Sequence, residues 1–314
     1  MIAPEFWTRR GPAAQLLRPF GVFTRVATAH RMRRQGVCVG IKTICIGNAS
    51  VGGSGKTLVA LDVLARLPNR PFALTRGYGG ALSGPLLVEK GLHTALEVGD
   101  EALLLADIAP TVKAWDRAAG ARMALAEGAT AIVMDDGLQN PALHKDLSLL
   151  VIDGGYGFGN GLLLPAGPLR EPVASAARRC QAAVLVGQDE TSALARLPPS
   201  LPVLRATILP DCVEPLGRRP VIAFAGIGRP EKFFRSVLSL GAELVSSHAY
   251  PDHHIYAAKE ASALLAEAAH KGARLVTTAK DFVKLPSALR SACLVVEARL
   301  EWEDEAALEA LLKA

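Results

Sequence analysis

The chain has 314 residues, half of them apolar, which is more than one hydrophobic core usually holds, so two domains are expected. Its five cysteines (Cys38, Cys45, Cys180, Cys212 and Cys293) show no C-x-x-C spacing, which argues against a zinc or disulfide framework and fits a reducing compartment. The net charge of +5 is concentrated in residues 1–36, where seven arginines face the single acid Glu5; the remainder sums to −1, so no nucleic-acid partner is expected.

The basic arm comes first. Arg18 and Arg25 interrupt LLRPFGVFTRVATA well short of the about 20 apolar residues that a membrane span needs. No unbroken apolar core with a cleavage site marks a secretory signal. At helical spacing Leu16, Phe20, Phe23 and Ala27 share a face, Arg18 and Arg25 lie opposite, and Phe6 and Trp7 stand just upstream. This pattern suits a basic amphipathic segment on an anionic bilayer, with Trp7, Leu16, Phe20 and Phe23 as the expected membrane contacts. The plainer reading is a surface helix packed on its own domain, and Pro19 and Gly21 weaken a continuous helix.

KTICIG (42–47) reads as a strand, and TLVALDVLARL after it has helical spacing. Strands are expected at 71–75, 110–114, 130–136, 147–153, 182–187 and 202–208, and helices at 100–109 and over RAAGARMALAEG, ending at Gly128. A second alternation begins after the proline-rich 215–220: strands at VIAFAGI, AELVSSHAY and RLVTT, and helices over PEKFFRSVLSLG and KEASALLAEAAHKG. The alternation predicts an α/β fold, a parallel sheet flanked by helices, with a second, smaller α/β domain. We expect the arm and a first domain to fill 1–210 and the smaller domain 211–314.

Between the first strand and helix lies SVGGSGKT, residues 50–57. It matches the phosphate-loop pattern except that Ser50 stands where glycine is usual. Gly52, Gly53 and Gly55 let backbone amides turn toward an anion, and the helix start adds its positive dipole end. Ser50, Val51, Ser54, Lys56 and Thr57 complete the expected ATP-binding stretch, with Lys56 reaching the outer phosphates and the Thr57 hydroxyl a Mg²⁺ ligand. Ser50 suffices if its backbone angles stay ordinary. The strand TAIVMDD ends in Asp135 and Asp136, where a nucleotide-hydrolysing site holds its metal; one contacts the metal and the other holds a neighbouring loop. TTAKD (277–281) lacks the spacing for guanine recognition. Proton acceptors are available in VGDEA (Asp100, Glu101) and in YPDHH (Asp252, His253, His254), where a carboxylate–histidine pair makes a credible base. FGNGLLLPAGPLREP (158–172) is either a loop closing over a lipid or sugar phosphate or a buried strand with a proline turn.

The strings GNASVGGSGKT, TRGYGG, VGDEA, DDGLQN, FGNGLLLPAGPLREP, FAGIGRPEKFF, YPDHHIY and TTAKD occur in this order along nearly the whole chain. Together they closely resemble the tetraacyldisaccharide 4′-kinase family of the lipid A pathway, which commonly has Ser or Thr at the Ser50 position. The resemblance implies transfer of the γ-phosphate of ATP, with Mg²⁺, to the 4′-hydroxyl of a tetraacylated glucosamine disaccharide 1-phosphate. It also implies a monotopic enzyme on the cytoplasmic face of the bacterial inner membrane; nothing indicates an oligomer. It makes Asp100 the base, His253 rather than His254 its partner, and Lys56 a catalytic cation. Thr57, Asp135, Asp136 and Glu101 are the metal-side candidates, and Arg76, Tyr78, Asn160 and Arg170 the substrate-binding ones. Two departures stand out: DDGLQN for DDGFQH, and Ala279 where the family has glutamate in TTEKD. Two other classes fit the bare loop, a soluble kinase for a small polar substrate and a nucleotide-dependent switch without an acceptor.

Overall fold

A computed structural model describes residues 4–314. Its centre is one twelve-stranded sheet. In chain order the strands are β1 (Lys42–Gly47), β2 (Pro71–Thr75), β3 (Leu86–Leu87), β4 (Thr111–Lys113), β5 (Ala131–Asp135), β6 (Leu147–Asp153), β7 (Ala182–Val186), β8 (Val203–Asp211), β9 (Pro220–Ala225), β10 (Glu243–Ala249), β11 (Arg274–Thr278) and β12 (Cys293–Trp302). Across the sheet they run β10-β9-β11-β12-β8-β7-β6-β1-β5-β2-β4-β3. All pairings are parallel except β12 with β8 and β3 with β4. The helices are α1 (Pro12–Leu17), α2 (Gly21–Arg31), α3 (Lys56–Arg66), α4 (Ala95–Val98), α5 (Asp100–Ile108), α6 (Arg117–Ala126), α7 (Val173–Ala177), α8 (Pro230–Ser239), α9 (Ala258–Lys271), α10 (Ala279–Phe282), α11 (Ser287–Arg290) and α12 (Glu305–Lys313).

The central strands are apolar throughout because both faces are covered. Successive residues of β1, β2 and β5 alternate between two cores. Cys45, Phe72, Leu74, Ile132 and Met134 face Ala121 and Ala124 of α6. Ile44, Ile46, Ala73 and Val133 face Val59 and Val63 of α3 and Leu105 of α5. Around β9 and β11 a second pair of cores forms, one against Phe233 and Val237 of α8 and one against Leu264 of α9.

The end of the 211–314 stretch packs with strands and helices of the first 210 residues. β12 pairs with β11 over Cys293–Val296 and then with β8 over Glu297–Trp302. Leu300, Trp302, Leu308 and Leu312 pack into the first unit's core beside α3, and Trp302 Nε1 donates to Asp62 at 3.0 Å. Burying such side chains contributes about 1.5–3 kcal/mol each, which is why the chain end returns.

The arm is a broken helix, with Pro19 inside a single 3₁₀ turn, Arg18–Phe20, between α1 and α2. Its packed side consists of small residues. Gly21 lies against Leu163, where an added Cβ would sit 3.1 Å from Leu163 Cβ. Thr24 Oγ1 donates to the Leu164 carbonyl at 2.7 Å, and Thr28 Oγ1 to that of Arg170 at 3.1 Å. Leu16 (77% exposed), Phe20, Val22, Phe23 (74%) and Val26 face outward. Two expectations are corrected. Trp7 is buried and its indole donates to the Pro165 carbonyl at 3.0 Å, so it anchors the arm to the protein and is no membrane contact. Asn160 is buried too, its amide donating to the carbonyls of Phe6, Arg9 and Ala166 and accepting from the Leu162 amide, which leaves nothing to offer a substrate. The 158–172 segment is irregular chain, held by an antiparallel bridge between Ser50 and Leu169.

Candidate active site

The phosphate loop leaves β1 and enters α3 at Lys56. Gly52 (φ 115°) and Gly55 (φ 82°) take left-handed backbone that a side chain would strain. An added Cβ at Gly52 or Gly53 would meet nothing within 4 Å, so this side of the loop is open. Ser50 is not among the residues with left-handed backbone, so glycine is unnecessary there. Ser50 and Val51 brace the loop from behind: Ser50 is buried, and the Val51 amide donates to the Pro168 carbonyl at 2.8 Å. That amide is therefore committed and not a phosphate donor. Asn48 donates to Ser54 Oγ at 2.9 Å and fixes the turn. Gly47 is needed because Leu138 Cβ would lie 2.5 Å from a Cβ there; the departure at Leu138 is thus a core side chain beneath the loop.

The two aspartates diverge. Asp135 accepts from Thr57 Oγ1 at 3.1 Å and keeps its other oxygen, Oδ1, buried without a partner. Burial first, and then the Glu101 charge, push its carboxyl up to about 7. Asp136 adopts left-handed backbone (φ 53°) and turns to Arg170, whose Nη1 lies 2.9 Å and 3.0 Å from its two oxygens, with Lys56 at 3.8 Å. Burial opposes the Asp136 charge, but Lys56 and Arg170 hold its carboxyl below the usual range. Among the described residues no three His, Cys, Asp or Glu side chains converge into a ready ligand shell. A hydroxyl, one unsatisfied carboxylate oxygen and room for phosphate oxygens and water is what nucleotide-bound Mg²⁺ takes, so Thr57 and Asp135 fit the ion. The expected ligand role of Asp136 conflicts with its pairing to Arg170. Glu101 makes no side-chain hydrogen bond to Thr57 or Asp135, and burial raises its carboxyl.

Asp100 begins α5 and is 3% exposed. Its carboxylate lies 2.9 Å and 3.1 Å from His253 Nδ1, although 153 residues separate the two. The Nδ1–H donates in this geometry. Lys280 and Lys284, four apart, bring their ammoniums to 3.8 Å and 3.7 Å from Asp100. Burial works to raise the Asp100 carboxyl, but the His253 hydrogen bond and the charges of Lys280, His253 and Lys284 outweigh it and hold it below the ordinary range. Every one of these partners comes from the far end of the chain. His253 sits in left-handed backbone (φ 60°), a strained conformation of the sort that collects at functional sites. His254 turns away, pairing with Glu260 at 3.0 Å and stacking on Tyr250.

Of the remaining candidates, Tyr78 is exposed with its ring 5.6 Å from that of His253, and Arg76 is exposed and stacked on Trp115. Sequence reasoning passed over Lys280, Lys284 and Arg229. TTAKD was weighed for guanine and as a family string, not for its lysine; Lys280 lies in α10 and Lys284 in the turn that follows it. Arg229 reaches from the segment before α8 to the Asp153 carboxylate and to the Gly53 carbonyl at 3.4 Å, tying the second unit to the phosphate loop.

A nucleotide loop beside a shielded acid–histidine pair is the arrangement a sugar or lipid kinase requires, and the comparisons decide between such families. The sequence profile described as Tetraacyldisaccharide-1-P 4′-kinase matches residues 13–314. The chain belongs to this family. The tetraacyldisaccharide 4′-kinase of Gluconacetobacter diazotrophicus is 53% identical over 318 residues, covering 99% of this chain and 97% of that one. That of Methylorubrum extorquens is 49% identical over 322 residues, covering 100% and 98%. The crystal structure of LpxK from Aquifex aeolicus in complex with ATP superposes with a TM-score of 0.78 at 28% identity, covering 96% of this chain and 98% of that one. The similarity to members of this family thus runs over nearly the full length of the chain.

Proposed function

We infer that the chain is a tetraacyldisaccharide 4′-kinase, transferring the γ-phosphate of ATP to the 4′-hydroxyl of a tetraacylated glucosamine disaccharide 1-phosphate. The observation that carries this reading is the Asp100–His253 hydrogen bond beside the open phosphate loop. In the proposed reaction the sugar 4′-oxygen bonds to the γ-phosphorus in line with the leaving oxygen, the bond to the β-phosphate breaks, and ADP departs. The hydroxyl proton goes to the Asp100 carboxylate, oriented by His253. Lys56 and the loop amides stabilise charge on the transferring phosphoryl group. Thr57 and Asp135 would hold Mg²⁺, which would supply charge neutralisation for the phosphate oxygens. Arg170 holds Asp136 in place beside Lys56.

The arm supports a peripheral place on an anionic membrane surface. No helix among the described residues is long and apolar enough to cross one, yet Leu16, Phe20 and Phe23 are exposed among arginines. Docking by that face would bring an acylated acceptor to the site from the cytoplasmic face of the inner membrane. The site's parts all come from one chain, so one copy suffices. We divide the chain into a kinase unit of 1–210 that also takes in the end of β12 and α12, and a smaller unit over the rest of 211–314.

The test is transfer from radiolabelled ATP to the purified lipid disaccharide in detergent. Wild-type protein should label the acceptor. Lys56→Ala and Asp100→Asn should each lose about 10²–10⁴-fold in kcat with circular dichroism unchanged. An Asp100→Asn variant with near-normal turnover at neutral pH would remove Asp100 from the mechanism.

A further inference from the structure

Beyond the phosphate loop and the base, the C-terminal edge of the sheet carries a second platform. The order β1-β5-β2-β4 puts the residues after β4 three strands from the loop. At strand spacing that is on the order of 14 Å, a span suited to two linked pyranose rings. The residue there is Trp115, 67% exposed. The Arg76 guanidinium lies over the ring, 3.7 Å from its centroid, and covers one face.

This pair is held rigidly. The Trp115 amide donates to the Ser83 carbonyl at 3.1 Å, and the next residue, Asp116, caps α6 through the amides of Ala118 and Ala119. The Arg76–Gly80 turn is pressed onto the base. A Cβ at Gly99, next to Asp100, would meet the Tyr78 carbonyl at 2.6 Å, and one at Gly77 would strike Val98 and Lys113. Lys113 is itself buried, its ammonium donating to the Glu97 carbonyl at 2.8 Å. His253, Tyr78, Arg76 and Trp115 therefore line one wall that starts at the base and ends at an exposed indole with a cation stacked on one face.

We propose that Trp115 is the stacking platform for the acceptor's second sugar, the one this enzyme does not phosphorylate, with Arg76 facing that sugar's 1-phosphate. An indole offers a flat apolar surface to the C–H face of a pyranose, and a guanidinium matches a phosphate's oxygens. This rests on the acceptor being the disaccharide 1-phosphate. Trp115 positions that acceptor and takes no part in proton transfer.

The chain has three tryptophans, and Trp7 and Trp302 are buried, so a collisional quencher such as acrylamide reads Trp115 selectively. Saturating disaccharide 1-phosphate in detergent should protect the emission from quenching. An ATP analogue, detergent alone or anionic vesicles without acceptor should not, and Trp115→Phe should lose the protected component. Trp115→Ala should raise the acceptor KM about tenfold with the ATP KM unchanged, and Trp115→Phe should restore most of it. An acceptor KM unchanged in Trp115→Ala, or equal protection by acceptor-free vesicles, overturns the proposal, the latter making Trp115 a lipid contact. Wild-type protein that labels no disaccharide would instead overturn the acceptor assignment.

Discussion

At Asp100, burial pulls one way, and the His253 hydrogen bond, joined by the charges of Lys280, His253 and Lys284, pulls the other and prevails. Lys280 is held protonated by Asp100, Glu101 and Asp252 against its own burial, so it keeps favouring the Asp100 carboxylate. Removing a cation raises the pKa of a neighbouring acid. Lys280→Ala should therefore move the acid limb of the kcat/KM profile to higher pH, read as a rightward shift of the lower inflection, while the alkaline limb stays. An acid limb unmoved in the variant would show that Lys280 has no hold on the base. Residue chemistry of this kind was legible in part. Lys56, Thr57 and Asp135 announce themselves because the glycine loop and the strand end are local patterns. The Asp100–His253 contact spans 153 residues and no periodicity encodes it; the family resemblance supplied it. Trp7 and Asn160 misled because an aromatic in a basic arm and an amide in a glycine-rich loop look like surface chemistry. Here they join to each other's segments, with Asn160 donating to the carbonyl beside Trp7.

Among the elements, the arm inverts the usual arrangement of an amphipathic helix. Its small residues pack inward because Gly21, Thr24 and Thr28 let α2 approach the 163–170 chain closely, and its large apolar residues are left to the outside. Placing serine at Leu16, Phe20 and Phe23 together should leave the melting temperature within about 2 °C, since exposed positions cost little. The same change should sharply reduce co-sedimentation with anionic liposomes. Unreduced binding would leave the arginines, or another surface, as the membrane contact. The sequence pattern found this face but not its break, since Pro19 and Gly21 weaken a helix without saying how it resumes. β12 went unread for a different reason. Its second half, EARLEW, alternates charged with apolar residues, but its partner β8 is distant in sequence, and the pairing carries Leu300 and Trp302 into the core while Ala298 stays exposed.

For the whole molecule, the alternation of strands and helices made the α/β class and the parallel sheet legible, while the joining of two units into one sheet was not. That joining depends on a strand whose two halves have different neighbours. The β8–β12 ladder and α12 bind the chain end to the kinase unit, so deleting residues 304–314 strips Leu308 and Leu312 from the core beside Val63. Losing two such leucines costs about 4–10 kcal/mol, enough to unfold a marginal protein. The truncated chain should melt far below the full one or fail to accumulate, and one that melts like the parent would show that α12 is dispensable.

The doubled-back strand also decides how the protein tolerates cutting. The chain passes into the smaller unit after β8 and returns through β12, the antiparallel partner of β8, so the unit's two covalent bridges lie side by side. A protease that clips the exposed stretch around Val213 severs one bridge only. The fragments stay stitched by the ladder and by Arg229 on Asp153, and the acid–histidine pair, divided between the two pieces, stays assembled.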